Sequence, residues 1–332
     1  MKVTEDYSFS SLCSLRIREE VAYYCELTDI SKIQEILSFS NNKNIPLLFL
    51  GEGTNIIPSN PFKGLVVKNK LMGIKQLDDF IVEVASGENW HDFVEWSLSK
   101  NMFGLENLAL IPGSVGAGPI QNIGAYGADI SSHIKEIKVF NTAEGSVEVL
   151  DAEACDFNYR TSIFKERSDL FILSVTFKLD RNPIVNYSYD SLKKEIQDKK
   201  INEKDLSPKD IFKLVSNIRK RVLPDHLTHP NVGSFFKNIQ LKPEEFHDLN
   251  LSSEIPFFLK DNIVKIPSAF LIDKAGWKGY REGNVGISDQ HALVLIAYEE
   301  TSGNEILSFA RKIIDDVFNK TGIKLEIEPS VI

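Results

Sequence analysis

Two hydrophobic rhythms alternate over the first hundred residues. Across Thr28–Asn42, Ile30, Ile33, Ile36 and Leu37 recur at helical spacing and predict an amphipathic helix. Pro46–Leu50 reads as a strand that runs into the turn Gly51-Glu52-Gly53-Thr54-Asn55. Gly64–Lys68 reads as another strand, and Phe80–Ala85 alternates with period two. This opening predicts a β-α-β arrangement. Asn89–Lys100 predicts a helix with Trp90, Phe93, Val94 and Leu98 as its apolar stripe, and these aromatics are assigned to core packing.

From residue 134 onward strand signals dominate, at Ile134–Phe140, Ser146–Leu150 and Leu170–Leu179. Arg181-Asn182-Pro183 marks a boundary, and the charged stretch Lys193–Asp205 reads as a solvated excursion. Ser207 as N-cap, Pro208 at N1 and Asp210 at N3 open a helix that carries Ile211, Leu214, Val215 and Ile218 and ends before Pro224. Beyond it, Ser268–Ala275 predicts a helix and His291–Tyr298 a buried strand. Gly303–Asn319 predicts a helix with Ile306, Leu307, Ala310, Ile313, Ile314, Val317 and Phe318 inward, and Ile323–Glu328 a final strand. No internal repeat or low-complexity tract interrupts this mixture, which is α+β.

Between residues 104 and 127 both rhythms break. Glycines fall at 104, 113, 116, 118, 124 and 127, with two prolines and the pair Gln121-Asn122 among them. Glycine allows positive φ and close approach of the backbone to a ligand. Successive N–H groups in such turns form nests for anions. Ala117, Ala125 and the glycines leave room for a flat ring, and the Gln121 and Asn122 amides can read its edge. The plain alternative is a run of structural turns. Its apolar character and the second glycine turn at 51–55, placed after a strand as phosphate-binding turns are, weigh against that alternative. Neither run fits G-x-G-x-x-G, and no G-x-x-x-x-G-K-[ST] occurs, so a Rossmann or P-loop enzyme is disfavoured.

Charge and cysteine content narrow the class. The chain of 332 residues carries 38 basic and 47 acidic side chains, a net charge of −9, which argues against nucleic acid as the main ligand. A local basic cluster, Arg219-Lys220-Arg221, remains. Cys13, Cys25 and Cys155 are widely spaced and form no C-x-x-C pair, so neither a disulfide framework nor a zinc site is indicated, and a reducing cytoplasm fits. Residues 1–14 lack an apolar signal core, no apolar run reaches membrane-spanning length, and the scattered histidines suggest no metal site.

Three further segments stand out: Tyr159-Arg160-Thr161-Ser162, Gly233-Ser234-Phe235-Phe236-Lys237-Asn238, and Glu326-x-Glu328-Pro329-Ser330. Ser234 lacks a G-x-S-x-G context, so no hydrolase elbow is indicated. Taken in order with both glycine turns, these segments resemble the UDP-N-acetylenolpyruvoylglucosamine reductases, the MurB family of peptidoglycan synthesis. The resemblance spans nearly the whole chain.

The resemblance implies a vanillyl-alcohol-oxidase-type FAD domain of two α+β subdomains, at 1–66 and 67–181, the first joined by the terminal strand 323–332. A substrate loop at 182–206 and a C-terminal α+β substrate domain at 207–322 would follow. It implies FAD and NADPH as cofactors, a UDP-sugar as substrate and a monomer. Gly51, Glu52, Gly53, Thr54, Asn55, Gly113, Ser114, Gly116, Ala117, Gly118, Gln121, Asn122, Gly124, Ala125, Tyr126 and Tyr159 would hold the flavin. Arg160 would stabilise negative charge on the substrate carboxylate, and Ser234 would protonate C2 of the enolpyruvyl ether. Tyr189, Lys237, Asn238 and His291 would contact substrate.

Three positions depart from the family pattern. Ser330 stands where a catalytic glutamate is expected, Val222 where a substrate-contacting lysine is expected, and Asn284 where a second glycine is expected. Three readings follow: a working but divergent reductase in which Glu328 or another group takes over the acid's role, a related FAD enzyme acting on a different enolpyruvyl ether or sugar nucleotide, and a flavin-binding protein with little catalysis, a scaffold or regulator. By period two, Glu328 and Ser330 share a strand face.

Overall fold

A computed structural model describes residues 1–249, 254–260 and 262–332. The chain forms two compact units. The first comprises residues 1–5, 23–52 and 63–219, and the second residues 6–22, 53–62 and 220–332. These limits differ from the boundaries expected at 66/67, 181/182 and 206/207. Residues 6–22 and 53–62 group with the C-terminal part of the chain, and residues 207–219 group with the first unit.

Seven helices are described: α1 (Ile33–Lys43), α2 (Trp90–Ser99), α3 (Asp190–Asp198), α4 (Pro208–Val222), α5 (Pro243–Asp248), α6 (Ser268–Lys274) and α7 (Gly303–Thr321). One sheet runs in the order Thr4–Ser8, Glu20–Leu27, Phe62–Asn69, Leu47–Leu50, its last pair parallel with Leu47 opposite Leu65. Ile33 and Ile36 of α1 pack with Leu27, Leu65 and Val67 of this sheet, and Phe49 stacks on Phe171 at 4.0 Å.

A second sheet of the first unit is antiparallel, in the order Ser146–Asp151, Ile134–Asn141, Leu170–Lys178, Ile81–Ala85, Ile74–Asp78. α2 covers it through Trp90, Phe93, Val94 and Leu98, all buried as the stripe predicts. Asn89 caps this helix, its side chain accepting from Asp92 N–H at 3.1 Å. The Trp90 indole donates to the Leu108 carbonyl at 2.9 Å, so the core helix anchors the start of the long glycine run. Removing either buried aromatic would leave a cavity and cost about 3–5 kcal/mol.

The second unit contains a sheet in the order Asn231–Ser234, Val294–Ala297, Val285–Ile287, Arg281–Glu282. It also contains a smaller sheet of Ile239–Leu241, Ile263–Ile266 and Phe258–Lys260. Ser330–Val331 pairs in parallel with Ile56–Ile57. α7 opens on a Ser302/Glu305 capping box and closes on Gly322 at φ +72°.

Four sequence expectations change. Lys193–Asp205 is largely ordered as α3 and a 3-10 turn at Glu203–Asp205, because Leu192 and Ile196, four residues apart, give a charged segment a buried edge. Ile323–Glu328 forms no regular strand; Ile327 alone bridges, to Phe236, and the ladder forms later at Ser330–Val331. His291 lies in the turn before a shorter strand, Val294–Ala297, where Val294 N–H donates to its carbonyl at 3.0 Å. In α7, Phe318 is exposed and Phe309 takes an inward place. No helix of the described residues is long and apolar enough to cross a membrane.

Candidate functional site

In the first unit the start of the first glycine turn, Gly51-Glu52, meets the long glycine run. A Cβ on Gly51 would lie 2.6 Å from Ser114 Oγ and 3.6 Å from Ala117 Cβ, so the first turn approaches the second closely because neither carries bulk there. Ser114 is buried and its hydroxyl has no hydrogen-bond partner among the described residues. A buried hydroxyl left unpaired points to a missing ligand oxygen or nitrogen. Below the first turn, the buried Lys68 ammonium donates to the Gly51 carbonyl at 2.6 Å and faces the Glu52 carboxylate at 3.4 Å. Burial lowers its pKa, and Glu52 opposes that shift. The rest of the turn belongs to the second unit, where Gly53 sits at φ +67° and its missing Cβ would fall 1.9 Å from the Leu12 carbonyl oxygen. Thr54 and Asn55 complete the turn, and Asn55 accepts at its carbonyl from Ser330 N–H at 3.0 Å.

The long glycine run is not an open nest throughout. N–H groups of Val115, Gly116, Ala117 and Gly118 donate to the carbonyls of Glu88, Ser86, Ser114 and Val115 at 2.8–3.2 Å. Gly116 and Gly118 instead provide close packing: a Cβ would fall 2.4 Å from Ser86 Cβ and 2.7 Å from Ile130 Cδ1, respectively. Gly113, at φ +130°, provides a backbone turn and accepts from Trp90 N–H. Asn122 also differs from the ring-reading role expected of it. It is buried, donates to Asn158 O at 3.3 Å and accepts from Ser131 N–H at 3.2 Å, so its amide fastens loops together. Gln121 ends the 3-10 turn just before it.

Arg160 comes to the far end of the run. Its guanidinium donates to the Gly124 carbonyl at 2.8 Å and lies 5.3 Å from the Tyr159 ring. Arg160 and Tyr126 both hold positive φ, +54° and +49°, a strain that non-glycine residues keep where surrounding contacts fix it. Asn107 supplies one such contact. This buried amide donates to both Tyr126 O and Asn186 O at 2.9 Å, tying the run to the segment that carries Tyr189. The Tyr189 and Tyr126 rings meet edge to face at 5.4 Å. The structure therefore gathers Gly124, Ala125, Tyr126, Tyr159, Arg160 and Tyr189. Lys68 was not picked out from sequence, where an isolated lysine carries no periodic signal.

In the second unit Ser234 lies opposite Val294, and Phe235 N–H donates to Leu293 O at 2.8 Å. His291 accepts at Nδ1 from Leu293 N–H at 3.2 Å, which places it in the same turn. Two short bonds attach the chain's end to the Ser234 segment: Glu328 N–H to Phe235 O and Lys237 N–H to Glu326 O, each 2.9 Å. Lys237 is also ion-paired with the Glu326 carboxylate, and Asn238 accepts from Ser268 N–H at 3.1 Å at the start of α6. Both side chains thus have structural partners besides any substrate. Ser330 is exposed and belongs to the pairing with Ile56, whereas Glu328 borders Phe235.

The first unit's residues fit a flat ligand bearing anionic groups: two turns kept small where they meet, an unpaired buried hydroxyl, and a cation beneath one turn. The chain shares this class with flavin proteins, since the FAD binding domain family matches residues 21–151. The family described as UDP-N-acetylenolpyruvoylglucosamine reductase, C-terminal domain, matches residues 225–332. The chain is 37% identical over 320 residues to the UDP-N-acetylenolpyruvoylglucosamine reductase of Chromobacterium violaceum, covering 94% of this chain and 93% of that one. It is 37% identical to the reductase of the same name from Flavobacterium johnsoniae, with full coverage of both chains (100% and 100%). The fold matches the crystal structure of UDP-N-acetylenolpyruvylglucosamine reductase (MurB) from Thermus caldophilus with a TM-score of 0.70 at 19% identity, over 100% and 99% of the two chains. The chain belongs to the UDP-N-acetylenolpyruvoylglucosamine reductase family.

Proposed function

We propose that this chain reduces the enolpyruvyl ether of UDP-N-acetylglucosamine to UDP-N-acetylmuramate, using FAD and NADPH, and that Glu328 supplies its C-terminal acid. The observation that carries the reading is the attachment of Glu328 to the Ser234 segment, through Glu328 N–H to Phe235 O at 2.9 Å and the bridge between Ile327 and Phe236. Ser330 bonds instead to Asn55. The serine at 330 therefore leaves an acid beside the Ser234 segment.

FAD, when bound, would carry hydride from NADPH to C3 of the substrate. Gly51, Ser114, Ala117 and Gly124 would give it room, and Lys68 would fix the first turn. Negative charge then develops on C2 and its carboxylate, and preorganised donors lower that barrier. Arg160 offers a permanently charged planar fork suited to a carboxylate. Ser234 would give its proton to C2; a serine is a weak acid, so it can act only on a strongly basic centre and from a fixed position. Glu328 would polarise the substrate carboxylate and restore the serine proton. Tyr189 and His291 would help hold the sugar nucleotide, with Lys237 and Asn238 shaping the floor on which Ser234 lies. A cytoplasmic monomer acting on a small UDP-sugar completes the reading.

The test is NADPH oxidation dependent on the UDP-enolpyruvyl sugar. Glu328→Gln should lower kcat by roughly 10²–10³-fold while Ser330→Ala leaves it within about twofold. The opposite pattern, or no sugar-dependent oxidation by the unaltered protein, rejects the proposal.

A further inference from the structure

Lys68 breaks the pattern of its strand. In Phe62–Asn69 the residues from Gly64 to Asn69 are all buried, and Leu65 and Val67 join the apolar cluster of Ile33 and Ile36. Lysine is seldom buried without a partner. The strand runs parallel to Leu47–Leu50 with Lys68 opposite Leu50, the residue before the first glycine turn. The ammonium thereby reaches two oxygens of that turn, donating to the Gly51 carbonyl at 2.6 Å and facing the Glu52 carboxylate at 3.4 Å. Apolar packing alone gives no reason for a cation here.

Glu52 poses the complementary problem. It follows Gly51, which abuts the unpaired Ser114 hydroxyl at the place suited to anionic groups. A carboxylate one residue from that contact opposes an arriving phosphate, because like charges repel strongly where water is partly excluded. The Lys68 side chain is 10% exposed and the Glu52 side chain 34%. The cation is thus fixed by its strand and by the Gly51 carbonyl, while the carboxylate stays partly open to solvent. Ordinary surface ion pairs are worth little, but this one sets the sign of the charge that the turn presents.

We propose that Lys68 is a positioning residue for FAD that acts through Glu52: its ammonium, anchored on the Gly51 carbonyl, cancels the carboxylate so that the turn accepts the cofactor's diphosphate. The inference rests on the flavin reading of the site and not on the reduction of any sugar. Its signature is charge balance. Removing the cation alone leaves the turn negative, removing the carboxylate alone leaves it positive, and removing both restores the original balance.

The experiment titrates FAD into full-length apoprotein, followed by flavin fluorescence, for Lys68→Met, Glu52→Gln and the double variant, with urea unfolding to establish that each is folded. Lys68→Met is expected to weaken FAD binding by roughly 10-fold or more, the scale of one uncompensated charge beside an anion near a protein surface. Glu52→Gln should tighten binding by roughly threefold or more, because the cation is then unopposed. The double variant should bind FAD within about threefold of the unaltered protein. A lysine that only braces the Gly51 carbonyl predicts otherwise: the brace is lost in the double variant too, which would then bind as weakly as Lys68→Met. That result overturns the inference, as does a Lys68→Met affinity within about twofold of the original. If Lys68→Met does not fold, Glu52→Gln decides, and an affinity unchanged or weakened overturns it. Unaltered protein that binds no FAD rejects the flavin reading and the inference with it, whereas protein that binds FAD but reduces no sugar rejects the proposed function alone.

Discussion

Alanine at Gly51 and alanine at Gly53 should fail in different ways. At Gly51 the new methyl would meet Ser114 Oγ at 2.6 Å, but that hydroxyl has no partner to lose and can rotate away. Alanine also restricts the unfolded chain, a gain of about 0.4–1 kcal/mol. Apoprotein stability should therefore stay within about 1 kcal/mol of the original. The methyl still occupies the gap between the turns, and overpacking of about 1–3 kcal/mol corresponds to a roughly 5- to 150-fold loss of FAD affinity. At Gly53 the methyl would lie 1.9 Å from the Leu12 carbonyl oxygen, at φ +67°. Left-handed backbone costs a non-glycine residue about 1–2 kcal/mol, and the overlap with fixed backbone adds to it. Gly53→Ala should destabilise the apoprotein by at least about 3 kcal/mol. Urea unfolding of both apoproteins and fluorescence titration with FAD separate the effects. Gly51→Ala that binds FAD within twofold of the original, or that unfolds as readily as Gly53→Ala, refutes this account of the turns.

The remaining predictions concern buried polar groups. Lys68 has its pKa lowered from 10.5 by burial, so between the lowered value and about 10.5 the folded chain binds fewer protons than the unfolded chain. Its contribution to stability should rise with pH through that window. The unfolding free energy of the original minus that of Lys68→Met should therefore grow between pH 8 and 10.5, and a flat difference contradicts the burial argument. Burial pushes the Cys25 thiol up to about 11 and the Cys155 thiol up to about 12. At pH 8 about 0.1% of Cys25 would be thiolate, so iodoacetamide should label these cysteines only after unfolding. Asn107→Ala deletes two donors at 2.9 Å, to Tyr126 O and Asn186 O, and should destabilise by about 2 kcal/mol in thermal or urea unfolding; a change below about 0.5 kcal/mol means those bonds are not maintained in solution.

The legible parts of the fold were those with redundant signals. α2 announced itself through four apolar residues on one side, and the Ser207–Asp210 cap of α4 forms as read, with Ser207 N–H donating to the Asp210 carboxylate at 3.0 Å. α3 was hidden because two apolar residues sit among many charges, and only tertiary burial of Leu192 and Ile196 reveals its inner side. At the glycine run, composition showed small residues but not that Val115–Gly118 spend their N–H groups internally. At the chain's end, Glu328 and Ser330 share a period; a strand needs a partner, and different partners take each residue. The cluster Arg219-Lys220-Arg221 gave no sign that Arg219 is half-buried while Lys220 and Arg221 are exposed, since helical phase relative to the core decides that.

The central claim is that the glycine turns serve a flavin reductase whose terminal acid is Glu328. A single anaerobic experiment tests it: purified chain reconstituted with FAD, reduced with NADPH, then mixed with the UDP-enolpyruvyl sugar while flavin absorbance is followed. The account predicts bleaching by NADPH, return of the yellow colour on adding the sugar, and a return slowed roughly 10²–10³-fold in Glu328→Gln. Colour that never returns in the unaltered protein, or returns equally fast in Glu328→Gln, contradicts it.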